Sequence, residues 1–186
     1  TKLTILHEPQ SSFYYKPDIK LFMEFVARKL PFSNIRVVSH SHTMQNYIND
    51  NILDKKQIDE SISKVFDTNC WSFYSNQFGK QFIFTRHAFS ISNYFKKIGS
   101  HINRINLLDP SLTIYGIITA MKHGSIIKKN ESIHLYDDAN QNIFVSVLIR
   151  TWMTAVCLYL PFIGDSSKFN LYISPFILES AIGKDN

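Results

Sequence analysis

The chain has 186 residues, of which 45% are hydrophobic and 14% aromatic, so it can bury a sizeable core. Charged residues make up only 19%, and this excludes a disordered, charge-rich segment. Twenty Lys and Arg against 15 Asp and Glu give a formal net charge of +5. That balance suits an anionic partner but falls short of a polycation that coats duplex DNA.

The cysteines and the apolar runs bear on the compartment. Cys70 and Cys157 stand far apart in aromatic or aliphatic surroundings, which predicts two reduced, buried thiols and a nuclear or cytoplasmic protein. No run reaches the roughly 18 apolar residues of a membrane span, so no membrane partner is expected. Because the chain starts at Thr1 with no signal-like segment, it is expected to be a piece of a longer protein.

The first 99 residues are predicted to be a mostly helical extension. Apolar residues recur at helical spacing over residues 18–30, and Pro31 ends the pattern. Residues 43–66 favour two short helices. Two short strands are also indicated, at residues 35–39 and 81–85.

From residue 112 onward the strand signals become regular. Five strands are predicted, at residues 112–122, 132–137, 142–150, 155–162 and 169–174. Turn-like residues separate them, and no helix-length crossover stands between them. The pattern therefore favours an antiparallel sheet or a small barrel over a doubly wound fold.

The first three of these strands are typical of a curved meander. A long strand that passes through both layers of a small barrel must bend, and Gly116 stands where a mid-strand glycine would relieve that bend. The second strand ends at the acidic turn Asp137–Asp138 and would form a hairpin with the third. In the third strand Ile143, Val145 and Val147 alternate with outward residues.

Residues 105–147 resemble the OB-fold subunits that bind single-stranded DNA, a group that includes the middle subunit of replication protein A, its counterpart in the CST telomere complex, and the shelterin proteins. The resemblance extends over residues 100–182, with strands four and five at 155–161 and 168–174 and a C-terminal helix starting at Phe176. It implies a mainly β fold with α: a five-stranded Greek-key OB barrel over residues 100–186, with residues 1–99 packed on it as a helical extension.

The resemblance also implies a function. The expected protein is a non-enzymatic, nuclear subunit of a multiprotein telomere or replication complex that handles single-stranded DNA at the chromosome end. Such barrels bind strands on the outer face of strands two and three, where aromatic rings stack on bases and cations contact phosphates. The candidate nucleic-acid-binding residues are Tyr115, Lys122, Lys128, Lys129, His134, Tyr136, Phe144 and Arg150.

A second interpretation explains the same aromatic face without nucleic acid. The apolar stripes of the N-terminal helices need a surface to pack against, and they could cover strands two and three. Alternatively, the face and the helices could dock other protein subunits. The alternative function is therefore a protein-scaffolding OB domain that touches no DNA.

The seven histidines raise a catalytic hypothesis. His40 and His42 form an H-x-H pair at the end of the strand over residues 35–39, but no Cys, Asp or Glu stands at a ligand-like offset from them, so no metal site is predicted. A histidine phosphodiesterase or nuclease is a third hypothesis, although the segment after His42 and the segment from His87 to Ser90 lack the spacing of two matched His-x-Ser/Thr elements. No phosphate loop, nucleophile elbow or carboxylate pair is visible. Neither a cofactor nor catalysis is expected.

Overall fold

A computed structural model describes residues 2–5, 19–32, 34–40, 44, 70, 72–105, 107–131, 140–160 and 168–177. The strands in these ranges are β1 Lys2–Ile5, β2 Asn34–Ser39, β3 Ser72–Gln77, β4 Lys80–Arg86, β5 Asn140–Val145 and β6 Lys168–Ile173. The helices are α1 Ile19–Lys29, α2 Ile91–Lys97, α3 His101–Ile105, α4 Ile114–Glu131 and α5 Ile149–Tyr159, followed by a 3₁₀ turn at Pro175–Ile177. None of these helices is long and apolar enough to cross a membrane.

All six strands belong to one open sheet in the order β1-β6-β5-β2-β4-β3. Four neighbouring pairs are parallel, and only β3 runs antiparallel, beside β4. The β3–β4 hairpin turns through Phe78 and Gly79, which both have positive φ, as a tight two-residue turn requires. The fold is therefore of the α/β class, with a largely parallel sheet.

Helices cover both faces of this sheet. Alternate residues of the central strands, such as Val37 and Phe84, pack with Phe22 and Val26 of α1 on one face. The opposite residues, such as Val38, pack with α4 and α5. Because both faces are covered, β2 is buried from Ile35 to Ser39 and β4 from Phe82 to Thr85, with no alternation between buried and exposed residues.

The predicted OB barrel is wrong. Residues 114–122, expected to lie in the first barrel strand, belong to α4, and most of residues 155–162, expected to form the fourth, belong to α5. The sheet is parallel because these helices are the crossovers that parallel neighbours need. A short β-branched or apolar run does not distinguish a strand from a buried helix, and tertiary packing decides the outcome here.

Gly116 has a role other than the predicted strand bend. It lies in the first turn of α4, where a Cβ atom would come within 2.1 Å of the Phe89 carbonyl oxygen. Later in the same helix, a Cβ on Gly124 would come within 1.8 Å of the Leu158 carbonyl oxygen in α5. The two glycines therefore allow α4 to pack against the β4–α2 loop and against α5.

Several other elements were predicted correctly. The helix over residues 18–30 is confirmed as α1, the strands over 35–39 and 81–85 as β2 and β4, and the strand over 169–174 as β6. Of the strand over 142–150, only the first half is extended, as part of β5. The strand at 132–137 lies outside the described residues, as do the helices at 43–66 apart from Met44. Strands from both sides of residue 99 pair within the one sheet.

Candidate active site

The carboxyl ends of the central parallel strands converge on one edge of the sheet. The chain leaves β2 toward β3 and β4 on one side, and leaves β5 toward β6 on the other. Connections that diverge in this way open a crevice between the ends of β2 and β5, which is where α/β proteins bind ligands. The first residues past these two strands are His40 and Ser146.

Backbone hydrogen bonds continue the sheet by one step beyond the strands. The His87 amide donates to the Ser39 carbonyl at 2.9 Å, the Ser146 amide to Val38 at 3.3 Å, and the Ser174 amide to Val145 at 2.9 Å. His87 and Ser146 are thereby held in register with the end of β2, and Ser174 with the end of β5. Their side chains are placed by rigid strands rather than by free loops.

Two histidines face each other at this edge. The imidazole rings of His40 and His87 lie 5.3 Å apart between centroids, at an interplanar angle of 64°. His40 Nε2 is 2.9 Å from the Ser146 hydroxyl, across the crevice. His87 Nδ1 lies 2.8 Å from the carbonyl oxygen of Ala88. Since a carbonyl only accepts, Nδ1 carries the proton and Nε2 of His87 keeps its lone pair.

Both imidazoles are neutral at pH 7. Burial is the largest cause, and it lowers the pKa of His40 to about 2 and that of His87 to about 3. The positive charges of Arg86 and Arg150 lower both pKa values further. The charged groups acting on the pair are therefore cations, the reverse of a carboxylate-supported histidine.

The two arginines reach this edge from different elements. Arg86 is the last residue of β4, so its position follows from the sheet. Arg150 lies in the first turn of α5, where the Asp109 carboxylate accepts the Ile149 amide at 3.0 and 3.1 Å. The residue preceding the helix, Leu148, provides no side-chain cap, so Asp109 serves as the cap from a distant part of the chain.

A threonine connects Arg150 to the histidine segment. The Thr154 hydroxyl donates to the Arg150 carbonyl at 2.7 Å and accepts from the Ala88 amide at 3.0 Å. The carbonyl of Ser146 is also fixed, since it accepts from the Thr151 hydroxyl at 2.9 Å and from the Trp152 indole at 2.8 Å. Both ends of the pair, His87 through Ala88 and His40 through Ser146, are thus tied to the start of α5.

An open groove of about 1250 Å³ includes Arg86 in its lining. It is lined by Arg86, Phe89, Asn93, Tyr94, Lys96, Lys97, Ile98, Thr113, Ile114 and Tyr115. Arg86 lines this groove, and its charge also lowers the pKa values of both histidines, so the groove and the histidine pair share this residue.

The residues predicted to bind nucleic acid do not share one face. Phe144 is fully buried in β5, with its ring 4.8 Å from that of Tyr172. Tyr115 is about half exposed in the first turn of α4 and lines the groove. Lys122, Lys128 and Lys129 lie further along α4, and Arg150 lies at the histidine edge. His134 and Tyr136 fall outside the described residues.

Sequence reasoning noticed the two histidines but did not connect them. His40 and His87 each directly follow a strand, and that position was the available signal. In a parallel sheet the carboxyl ends of neighbouring strands meet at one edge, but the assumption of an antiparallel barrel removed this implication. Among the described residues no group of three or more His, Cys, Asp or Glu could hold a metal ion.

The chain was compared with protein families, curated proteins and solved structures. No family model, no curated protein and no solved structure matches the chain. Single-strand binding, protein scaffolding and nuclear location stay predictions, and the barrel on which they depended is absent.

Proposed function

We propose that the protein is a phosphoryl-transfer enzyme that hydrolyses phosphate monoesters through a phosphohistidine formed on His87. One observation carries the proposal: two neutral imidazoles 5.3 Å apart, at the ends of neighbouring parallel strands, lie under the influence of two arginines. This departs from the expectation of a non-catalytic DNA-handling subunit, whose binding face required a barrel.

The arginines supply the electrostatic part of the chemistry. The transferred phosphoryl group carries its charge on three equatorial oxygens, and guanidinium groups recognise such oxygens through paired N–H donors. Arg86 and Arg150 approach from β4 and α5, so they can contact different oxygens of one phosphate. Cations that are already in position at the buried edge of the sheet stabilise the negative charge of the transition state, because they do not have to move during the reaction.

His87 has the properties of the nucleophile. Its Nδ1–H is held by the Ala88 carbonyl, its low pKa keeps Nε2 unprotonated, and its segment is anchored by the hydrogen bond to Ser39. His40, whose Nε2 lies 2.9 Å from the Ser146 hydroxyl and whose ring lies 5.3 Å from that of His87, packs beside the nucleophile at the end of the neighbouring strand.

The reaction proceeds in two balanced steps. Nε2 of His87 forms a bond to phosphorus while the ester P–O bond breaks, and the departing oxygen takes a proton from a water molecule. The remaining hydroxide then attacks phosphorus, the P–N bond breaks, and its electron pair returns to Nε2. One water molecule is consumed, and the products are the alcohol or phenol and inorganic phosphate.

The test uses p-nitrophenyl phosphate and detection of a phosphoenzyme. We expect release of p-nitrophenol and, on rapid acid-free quenching, a phosphorylated protein that is stable in base and labile in acid, as an N-linked phosphate is. The His87→Asn variant should lose both signals, whereas His123→Asn, which alters a buried histidine away from the site, should keep them. Absence of hydrolysis and of phosphoenzyme in the folded protein would exclude the proposal.

A further inference from the structure

The groove beside the histidines has a composition that restricts its ligand. Its volume of about 1250 Å³ exceeds the roughly 300–1,000 Å³ of pockets that enclose small molecules, and it is open to solvent. Three cations, Arg86, Lys96 and Lys97, line it, and none of its lining residues is acidic. Both lysines are exposed. A segment of a macromolecule that carries carboxylates matches this charge.

The hydrogen-bonding groups of the groove are mainly donors. Asn93 Oδ1 already accepts from the backbone amide and the hydroxyl of Ser90, at 3.1 and 3.0 Å. The Thr113 hydroxyl donates to the Phe89 carbonyl and accepts from the Gly116 amide, both at 3.0 Å. A nucleotide base presents amino groups that need acceptors, whereas carboxylates and phosphoryl oxygens need only donors. The groove therefore suits an acidic polypeptide better than a nucleotide.

Two features favour phosphotyrosine over phosphoserine as the phosphorylated residue: the aromatic part of the groove and the burial of His87. Phe89 and Tyr115 pack edge to face, 6.1 Å apart, where the groove meets the start of α4. His87 is only 4% exposed, so the phosphorus atom must reach well below the surface. A phosphotyrosine carries its phosphate farther from the backbone than a phosphoserine does, and its ring can pack against other aromatic rings.

We propose that the groove binds a phosphotyrosine within an acidic stretch of polypeptide; this inference rests on the proposed phosphatase function. The tyrosine ring packs against the paired rings of Phe89 and Tyr115, its phosphate reaches Arg86 and His87, and flanking carboxylates contact Lys96 and Lys97.

The test compares synthetic peptides with the full chain. The four substrates are a phosphotyrosine peptide flanked by glutamates, the same peptide flanked by glutamines, the glutamate peptide with phosphoserine, and adenosine 5′-monophosphate. We expect kcat/KM for the first to exceed each of the others by about tenfold or more, because it alone satisfies the apolar and the cationic parts. Equal hydrolysis of the phosphoserine peptide or of the nucleotide would overturn the inference.

Two charge variants make the result specific. Lys96→Ala combined with Lys97→Ala should reduce the preference for glutamate over glutamine flanks about tenfold, to near unity. Arg28→Ala combined with Lys29→Ala removes equal charge at the end of α1, and it should retain the preference. If both double variants retain the preference for glutamate flanks, Lys96 and Lys97 do not contact the flanking carboxylates and the inference is wrong.

Binding separates this inference from the proposed function. Fluorescence anisotropy with the His87→Asn variant should show salt-sensitive binding of the labelled acidic phosphotyrosine peptide, tighter than binding of the phosphoserine peptide. If p-nitrophenyl phosphate is hydrolysed through a phosphoenzyme but the peptides are not discriminated, only the substrate assignment fails. If no phosphoenzyme forms on any substrate, the phosphatase function fails.

Discussion

Two buried histidines of this protein make almost the same local contact but have different surroundings. His40 Nε2 lies 2.9 Å from the Ser146 hydroxyl, and His123 Nε2 lies 2.8 Å from the Ser72 hydroxyl. Burial is the largest cause of the lowered pKa in both, to about 2 and about 4. A buried His–Ser contact with a lowered pKa is therefore not sufficient to identify a catalytic site.

The difference lies in what stands next to each pair. The Ser72 hydroxyl is also 2.7 Å from the Thr85 hydroxyl, so His123 belongs to a neutral network between α4 and the β3–β4 hairpin. Burial is the only cause that lowers the His123 pKa. At the sheet edge, by contrast, a second imidazole and two arginines act on His40. Position at the strand ends and cationic neighbours distinguish a site for anions from a structural network.

The largest expected effect separates the two regions by activity. His87→Asn should lower kcat for phosphate monoesters by about 10⁴-fold, since the nucleophile is lost. His123→Asn should leave kcat near that of the parent chain but lower the free energy of unfolding by about 1–3 kcal/mol, because the Ser72 hydroxyl loses a buried partner. Steady-state kinetics and urea denaturation measure the two quantities. Equal losses of activity in both variants would remove the distinction.

Substitution of Arg150 is expected to have the next largest effect on activity. Arg150→Ala should lower kcat/KM about 10²- to 10³-fold, because one guanidinium no longer stabilises the phosphoryl oxygens. Arg150→Lys keeps the charge but not the paired donors and should recover only part of that loss. Circular dichroism serves as the folding control. Full activity in a folded Arg150→Ala protein would show that Arg150 does not contact the phosphoryl group.

Acid should destabilise both regions, and an anion should protect only one. The pKa values of His40, His87 and His123 are lower in the folded chain than the ordinary 6.5, so the unfolded chain binds more protons below pH 6.5. Stability is therefore complete above pH 6.5 and falls as the pH drops toward the folded-state values of about 2 to 4. The loss approaches about 1.4 kcal/mol per pH unit for each histidine.

Sulfate gives this pH dependence a directional test. A bound dianion near Arg86 and Arg150 favours protonated His40 and His87, so it raises their pKa values and binds more tightly as the pH falls below about 5 toward the values of about 2 and 3 in the free protein. Thermal unfolding with and without sulfate should show a growing protective shift on acidification, and Arg150→Ala should abolish it. A protective shift that shrinks on acidification would contradict the assignment of an anion site.

The smallest expected effect concerns the remote cap of α5. Asp109→Asn should lower the unfolding free energy by about 1 kcal/mol, since the Ile149 amide loses a charged acceptor at the helix start. It should also raise KM more than it lowers kcat, because Arg150 follows that amide. Asp109→Glu should restore part of both. An unchanged KM would confine Asp109 to a stabilising role.

The sequence predicted individual elements better than their arrangement. Helix α1 was found because its apolar spacing is regular over 11 residues, and the strands β2 and β4 because each contains a short cluster of β-branched or aromatic residues. Helix α4 was missed because Ile114 and Ile118 are β-branched and exposed, so its pattern resembles a strand. What makes it a helix is packing against distant parts of the chain, at Gly116 and Gly124, which local periodicity does not contain.

The site, too, depends on contacts between distant parts of the chain that local periodicity does not contain. His87 and Arg86 are adjacent in sequence, but His40 and Arg150 reach them only through strand order and the α5 cap. Metal-ligand patterns depend on the spacing of residues along the chain. His40 and His87 are far apart in sequence and come together only at the ends of neighbouring strands. Strand direction was the missing fact, because in an antiparallel sheet these residues would lie at opposite edges.

The edge strand β1 has a consequence for how the molecule assembles. Lys2 pairs with Asn170 and Ile5 with Ile173, so this ladder joins the first and last strands of the sheet, which are the farthest apart in sequence. Contacts of such high contact order form slowly, because closing a long loop loses chain entropy before the pairing returns any stability. During synthesis β2 and β4 can pair long before β6 leaves the ribosome. The half of the sheet that bears His40 and His87 can thus form first, and the outer edge is completed last.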